Sequence, residues 1–222
     1  MSKQKIKSLW YNIAKTTCYL FCRLCFSFKI SGKENIPADG AFIMVSNHQS
    51  FLDPVFCACG IRRQMNFLAR DTLFKNPFFR WLCFSVNTTP LRRGKADISA
   101  MKTVIKKLQA GRPVLLFPEA TRTSDGRIAQ FKAGLSLLCR HGNAAIVPVL
   151  IDGAFECWPR HKKIFSLGKK IVVRYGKPIP AEQAKSMPDE KLAEFLTSTL
   201  RRLQTEVRLE QGKQPFPYEQ NS

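Results

Sequence analysis

The stretch A-F-I-M-V-S-N-H-Q-S-F-L-D-P, residues 41–54, reads as a strand, a loop and the start of a helix. Residues 41–46 form a continuous apolar run, as a strand buried on both faces requires. Asp53 can cap, and Pro54 loses no needed hydrogen bond in the first turn of a helix. Outward from this unit the alternation recurs. Strands are predicted at residues 65–69, 113–118, 145–151 and 171–175, with a brief extended piece at 88–92. Helices are predicted at 76–84, short and buried, and at 97–109, where Ile98, Met101, Ile105 and Leu108 share a face. Two more follow near 134–140 and 189–209, the last with Leu192, Phe195, Leu196, Leu200, Leu203 and Val207 inward. This rhythm predicts an α/β fold: a single domain with a mixed, largely buried β-sheet flanked by helices, over residues 32–211. An N-terminal basic and apolar helix, residues 1–31, would precede it. A flexible tail, residues 212–222, would follow, since Pro215 and Pro217 cannot extend the last helix.

The 222 residues carry 36 Lys+Arg against 16 Asp+Glu, a net charge of +20 that concentrates anions at the surface. Lipid headgroups, phosphorylated substrates and nucleic acid would all respond to such a field. The aromatic balance of 17 Phe to 4 Tyr favours lipid contact over base stacking, and no nucleic-acid motif is recognisable. The eight cysteines sit mostly among apolar residues and read as free thiols of a reducing compartment. Cys22 and Cys25 form the only C-x-x-C, and the three histidines lie far from it, so no metal site is predicted.

Residues 1–28 run from Lys3, Lys5 and Lys7 through Trp10 and Tyr11 to C-Y-L-F-C-R-L-C-F-S-F. Arg23 interrupts the apolar run and no small-residue cleavage site follows, which argues against a signal peptide. Lys15 and Arg23 also leave it too interrupted to span a bilayer, which takes roughly 20 apolar residues. An interfacial helix fits, with Lys and Arg at the headgroups and Leu and Phe in the acyl region. An amphipathic helix packed on the domain is the competing reading.

The polar loop N-H-Q-S-F-L-D places His48 just after a strand, where open α/β sheets bind ligands. On a continuous helix, residues five apart point about 140° from each other, so a helical His48 and Asp53 would not meet. If His48 lies in the loop and Asp53 at the helix start, the carboxylate can receive one imidazole N–H and leave the other nitrogen as a base. That is the His-Asp half of a triad, with a substrate hydroxyl in place of the serine. No G-x-S-x-G elbow is present, and Cys57 and Cys59 lack a feature that would stabilise a thiolate. The bland alternative is that Asp53 only caps and His48 only bonds the backbone.

A second cluster, L-L-F-P-E-A-T-R-T, delivers Glu119, Thr121 and Arg122 from another strand end. Arg122 and Thr121 suit phosphate oxygens, and Glu119 suits orienting Arg122 or a substrate hydroxyl. A solvated turn is the alternative. A third, T-P-L-R-R-G, has Arg92 and Arg93 pointing oppositely, so only one can face a given pocket. Lys132 in F-K-A-G is a further candidate cation. For Arg92 and Lys132 a solvated surface role competes.

Together these blocks resemble the glycerolipid acyltransferase family that includes 1-acyl-glycerol-3-phosphate acyltransferases, over roughly residues 32–179. N-H-Q-S-F-L-D-P matches the family's His-x-x-x-x-Asp block, which makes His48 the base and Asp53 its orienter. T-P-L-R-R-G looks like the second block and makes Arg93 the phosphate contact. F-P-E-A-T-R-T is similar to the third, usually F-P-E-G-T-R-S, and carries glycerol-phosphate binding onto Glu119, Thr121 and Arg122. I-V-P-V, residues 146–149, resembles the fourth. Ala120 stands where the family has Gly, and Gly takes positive φ more easily, so the acceptor is open to being a larger lyso-lipid or another lipid alcohol.

The resemblance implies acyl transfer from acyl-CoA or acyl-carrier protein to a lysophospholipid hydroxyl, foremost 1-acyl-glycerol-3-phosphate, in phospholipid biosynthesis. It implies no cofactor, no covalent acyl-enzyme, and a membrane-associated enzyme on the cytoplasmic face. The rivals are a thioester or lipid hydrolase using the same residues, and a non-catalytic basic module binding membranes or nucleic acid.

Overall fold

A computed structural model of the chain describes residues 2–92 and 97–218. In chain order, α1 (Lys3–Cys25) leads to β1 (Ser27–Ser31), β2 (Phe42–Ser46), α2 (Asp53–Cys59), β3 (Phe67–Arg70), α3 (Pro77–Ser85) and β4 (Thr88–Leu91). Next come α4 (Ile98–Gln109), β5 (Val114–Leu116), α5 (Leu135–Gly142), β6 (Ala145–Asp152) and α6 (Ala154–Cys157). The last are β7 (Lys170–Tyr175), α7 (Ala181–Ser186) and α8 (Asp189–Glu210). The main sheet has the order β1-β7-β6-β2-β5. β2 is parallel to both neighbours, with Met44 opposite Leu115 and Val147, while β7 runs antiparallel to β6 and β1 parallel to β7. The sheet is therefore mixed, as expected. β3 and β4 form a small parallel pair that Asn66 joins to the start of β5.

The apolar run of β2 is explained by burial on both faces. Phe42 and Met44 pack with Phe56 and Cys57 of α2 and Cys22 of α1, whereas Ile43 and Val45 pack with Val104 of α4, Leu138 of α5 and Leu200 of α8. Successive strand side chains alternate faces, so one run serves two cores. Parallel β2, β5 and β6 all end on the same edge, and the chemistry-bearing loops emerge there.

Three expectations change. The helix at 76–84 is not buried: Phe78, Phe79, Trp81 and Phe84 of α3 are exposed and only Cys83 is buried. A helix apolar on nearly all sides has no face that betrays which side meets the core. In α4 the packed face turns to Ala100, Val104 and Leu108, leaving Ile98 exposed, and in α8 Phe195 is exposed while Thr197 and Gln204 are buried.

The amino-terminal boundary also moves, because residues 27–31 are an edge strand of the main sheet rather than part of the leading helix. Helix α1 packs one face on the domain. Tyr11 is buried with its Oη accepting from the Met65 N–H at 3.0 Å. Lys15 Nζ donates to the Ile61 and Arg62 carbonyls at 3.0 and 3.1 Å, and Arg23 Nη1 to the Phe28 carbonyl at 3.1 Å. The two cations expected at headgroups thus serve backbone carbonyls of the domain. Among the described residues no helix is long and apolar enough to cross a membrane. At the other end, residues 213–218 lie back against α8, where Arg208 sits 4.0 Å over the Phe216 ring.

Candidate active site

At the end of β2, Asn47 extends the pairing with β6 through its side chain: Nδ2 donates to the Ile151 carbonyl and Oδ1 accepts from the Ile151 N–H, each at 2.9 Å. This anchors the loop that follows. Asp53, fully buried, does not cap α2; the cap position is Leu52. Its Oδ2 instead reaches back to accept from Gln49 N–H at 2.6 Å, Ser50 N–H at 2.7 Å and His48 Nδ1 at 2.8 Å. Two backbone donors hold the carboxylate while it holds the imidazole. A carboxylate only accepts, so Nδ1 carries a proton, and in the neutral imidazole Nε2 then presents its lone pair. Nε2 has no hydrogen-bond partner among the described residues, and the ring stacks on Phe117, centroids 4.1 Å apart. The loop therefore brings His48 and Asp53 together in the way a helix could not.

The loop after β5 grips the same histidine by its backbone. Glu119 Oε1 accepts from His48 N–H and Thr123 N–H donates to the His48 carbonyl, both at 2.8 Å. The second oxygen, Oε2, accepts from Ala129 N–H at 3.3 Å. Glu119 was expected to orient Arg122 or a substrate hydroxyl. It is 5% exposed and ties two loops together through main-chain donors. Burial pushes its carboxyl up to about 7, against the lowering effect of those N–H bonds.

Arg122 lies in the same loop with its guanidinium 3.3 Å over the Phe51 ring. Its Nη1 is buried without a hydrogen-bond partner among the described residues. Burial lowers this guanidinium below its ordinary value; Arg160 and Arg70 act in the same direction and Asp53 opposes them. Buried N–H donors are almost always satisfied, so an unpaired one beside further cations suits an anionic ligand. Thr121 is exposed in this loop, and Lys132 at its far end is exposed too, with its backbone N–H donating to the Pro118 carbonyl. Arg93 lies outside the described residues; Arg92 beside it is exposed. Among the described residues no three His, Cys, Asp or Glu side chains gather as metal ligands. All eight cysteines are free, and burial pushes the Cys57 thiol far up, away from thiolate chemistry.

The profile of the family described as Acyltransferase matches residues 27–152. The chain belongs to this acyltransferase family. It is 30% identical over 198 residues to a chloroplastic 1-acyl-sn-glycerol-3-phosphate acyltransferase of Arabidopsis thaliana, covering 86% of this chain and 53% of that protein. It is 29% identical over 174 residues to the 1-acyl-sn-glycerol-3-phosphate acyltransferase of Bacillus subtilis, covering 78% of this chain and 83% of that one. The chain spans about half the length of the plant relatives it matches. Its fold is shared with the crystal structure of the 1-acyl-sn-glycerophosphate acyltransferase PlsC of Thermotoga maritima, with TM-score 0.78, 23% identity, 93% of this chain and 84% of that chain covered.

Within this acyltransferase-family chain, three residues of the site were not read from sequence. Phe117 forms the floor beneath His48. Phe51 supports Arg122. Gln49, 2% exposed, donates to the Gly126 carbonyl at 2.9 Å and accepts from Ala154 and Phe155 N–H groups. The one available signal was their adjacency to the polar motifs. Ala120, where the family has glycine, holds φ at +57°, the left-handed conformation a glycine would take. The loop keeps its shape at a cost in strain. Ala120→Gly is therefore expected to raise stability by about 1 kcal/mol, roughly 2–4 °C in Tm by thermal unfolding. A lowered Tm would show that the side chain itself supports the loop.

Proposed function

We propose that the chain transfers a fatty-acyl group from a thioester, acyl-CoA or acyl-carrier protein, to the hydroxyl of a lysophospholipid, foremost 1-acyl-glycerol-3-phosphate. The observation carrying this reading is an Asp53-held His48, its Nε2 open among the described residues, on a loop tied to the one in which Arg122 Nη1 is buried and unpaired. The relatives named above support the choice of acceptor. Arg122 takes the acceptor phosphate and so brings its hydroxyl toward Nε2. His48 removes the hydroxyl proton as the oxygen attacks the thioester carbonyl. The carbon–sulfur bond then breaks, and the imidazolium returns its proton to the leaving thiolate. Asp53 stabilises the imidazolium while it lasts. Glu119 acts by fixing the His48 backbone rather than by touching substrate. Arg93 remains proposed as a second phosphate contact, with Thr121 and Lys132 supplementing it.

The deciding experiment supplies long-chain acyl-CoA with lysophosphatidate, with other lyso-lipids and with no acceptor, and separates the products. Diacylated phospholipid formed with lysophosphatidate supports the proposal. Free fatty acid released equally with and without acceptor would establish the hydrolase instead.

We also propose that the substrates are met at a membrane surface. On α1, Ile6, Leu9, Trp10, Ile13, Leu20 and Leu24 are exposed, and the Trp10 ring lies 5.5 Å from Trp81 of α3, which joins them to exposed Phe78, Phe79 and Phe84. Exposed Lys5, Lys7, Lys75 and Arg80 accompany this apolar face, as a bilayer with anionic headgroups would favour. Each aromatic inserted contributes about 1.5–3 kcal/mol, so Phe78→Glu with Trp81→Glu is expected to weaken flotation with anionic vesicles on the order of 10²-fold or more. Undiminished flotation would remove α3 from the contact.

A further inference from the structure

The segment Gly126 to Phe131, which closes the loop carrying Glu119 and Arg122, is held at its backbone by α8 and by the chain that follows α8. Thr197, Arg201 and Gln204 project from one face of α8, at positions i, i+4 and i+7. Thr197 Oγ1 accepts from Phe131 N–H at 3.1 Å. Arg201 Nε and Nη2 donate to the Ile128 carbonyl at 3.1 and 3.0 Å. Gln204 Nε2 donates to the Gly126 carbonyl at 3.1 Å. The returning segment completes the hold: Tyr218 Oη accepts from Ile128 N–H at 2.8 Å and donates to Gln204 Oε1, with the Arg201 guanidinium 4.8 Å over its ring. Phe216 covers Gly126, which has φ of +89° and where a Cβ would stand 3.2 Å from the ring.

Both backbone polar groups of Ile128 are therefore satisfied by side chains far along the sequence. The neighbouring residue, Ala129, donates to Glu119, whose other oxygen fixes His48. The Gly126 carbonyl is shared between Gln204 and Gln49, next to His48. A displacement at Tyr218 would thus reach the Arg122 loop through Ile128 and the His48 loop through Gly126. Among the described residues, Tyr218 and Gln204 bond to neither His48 nor Asp53, and reach that pair through Glu119 and Gln49.

We infer that Tyr218 and Gln204 form a clasp that positions the 119–131 loop, and that this clasp sets how tightly the phosphorylated acceptor is held. The inference rests on the acyl-transfer reading above and adds positioning residues to it. With the full chain, Tyr218→Phe removes one hydroxyl and keeps the ring. It is expected to raise the KM for lysophosphatidate about three- to tenfold or more while the KM for acyl-CoA stays unchanged, since the hydroxyl makes two hydrogen bonds and each contributes up to about one order of magnitude. Gln204→Leu should do the same. The double variant should lose less than the sum of the two single losses, because both singles break the shared Tyr218–Gln204 bond while each also loses contacts of its own. An unchanged acceptor KM, donor and acceptor KM rising together, or fully additive losses would each overturn the clasp. If the wild-type chain acylates no phosphorylated lyso-lipid, the acyl-transfer reading fails, and the clasp is then judged by trypsin. Cleavage after exposed Arg127 should be faster in Tyr218→Phe under native conditions, and equal rates would overturn it.

Discussion

His48→Ala is expected to lower acyl transfer about 10²- to 10⁴-fold, the usual contribution of a positioned general base, while the fold persists. The imidazole is partly exposed, so its removal leaves only a shallow gap above Phe117. Asp53 keeps two of its three donors, Gln49 N–H and Ser50 N–H, and the His48 backbone keeps its bonds to Glu119 and Thr123. Far-UV circular dichroism and Tm should therefore stay close to wild type. Turnover within a few fold of wild type would remove His48 from the mechanism, and collapse of the fold would mean the ring has a structural task that these contacts do not reveal.

Asp53→Asn tests a different part of the same unit. The amide oxygen can take the place of Oδ2 and accept from the same three donors, which keeps the loop and the ring in place. The amide nitrogen then occupies the position of Oδ1, which is buried and has no partner among the described residues. Leaving such a group unsatisfied costs about 1–3 kcal/mol. The larger loss is chemical: a neutral amide does not stabilise the imidazolium that forms when His48 takes the proton. Transfer should fall about 10²- to 10⁴-fold with only a modest drop in Tm. Asp53→Ala should lose as much activity and about 3 kcal/mol of stability, because two buried backbone donors and the partly exposed imidazole lose their acceptor together. Equal activity in Asp53→Asn and wild type would mean that orientation alone, without charge, is what Asp53 supplies.

Much of the fold was legible because local patterns and packing agreed. The buried strands announced themselves as unbroken apolar runs, and Asp53-Pro54, Gly111 and Pro113 marked their helix ends. α3 was misread because N-P-F-F-R-W-L-C-F is apolar all round, and such a helix suits a protein interior and a lipid surface equally. Lys15 and Arg23 were misread for a related reason. A long cationic side chain can reach a headgroup or a backbone carbonyl, and which of these lies nearby depends on residues distant in the chain.

The sequence by itself determined the α/β architecture, the strand ends that carry polar loops, and the residues proposed as base, orienter and anion contact. It did so because each of those features is a short-range pattern of hydrophobicity, backbone preference and side-chain chemistry. Tertiary structure alone decided that Asp53 turns back on the His48 loop instead of capping its helix. It also decided that Glu119 accepts from the backbone N–H groups of His48 and Ala129, and that residues after α8 return to hold Ile128. Each of these is a hydrogen bond across a large sequence separation or against a helix periodicity. Such bonds exist only once the two cores on either side of β2 have packed and fixed where the loops emerge.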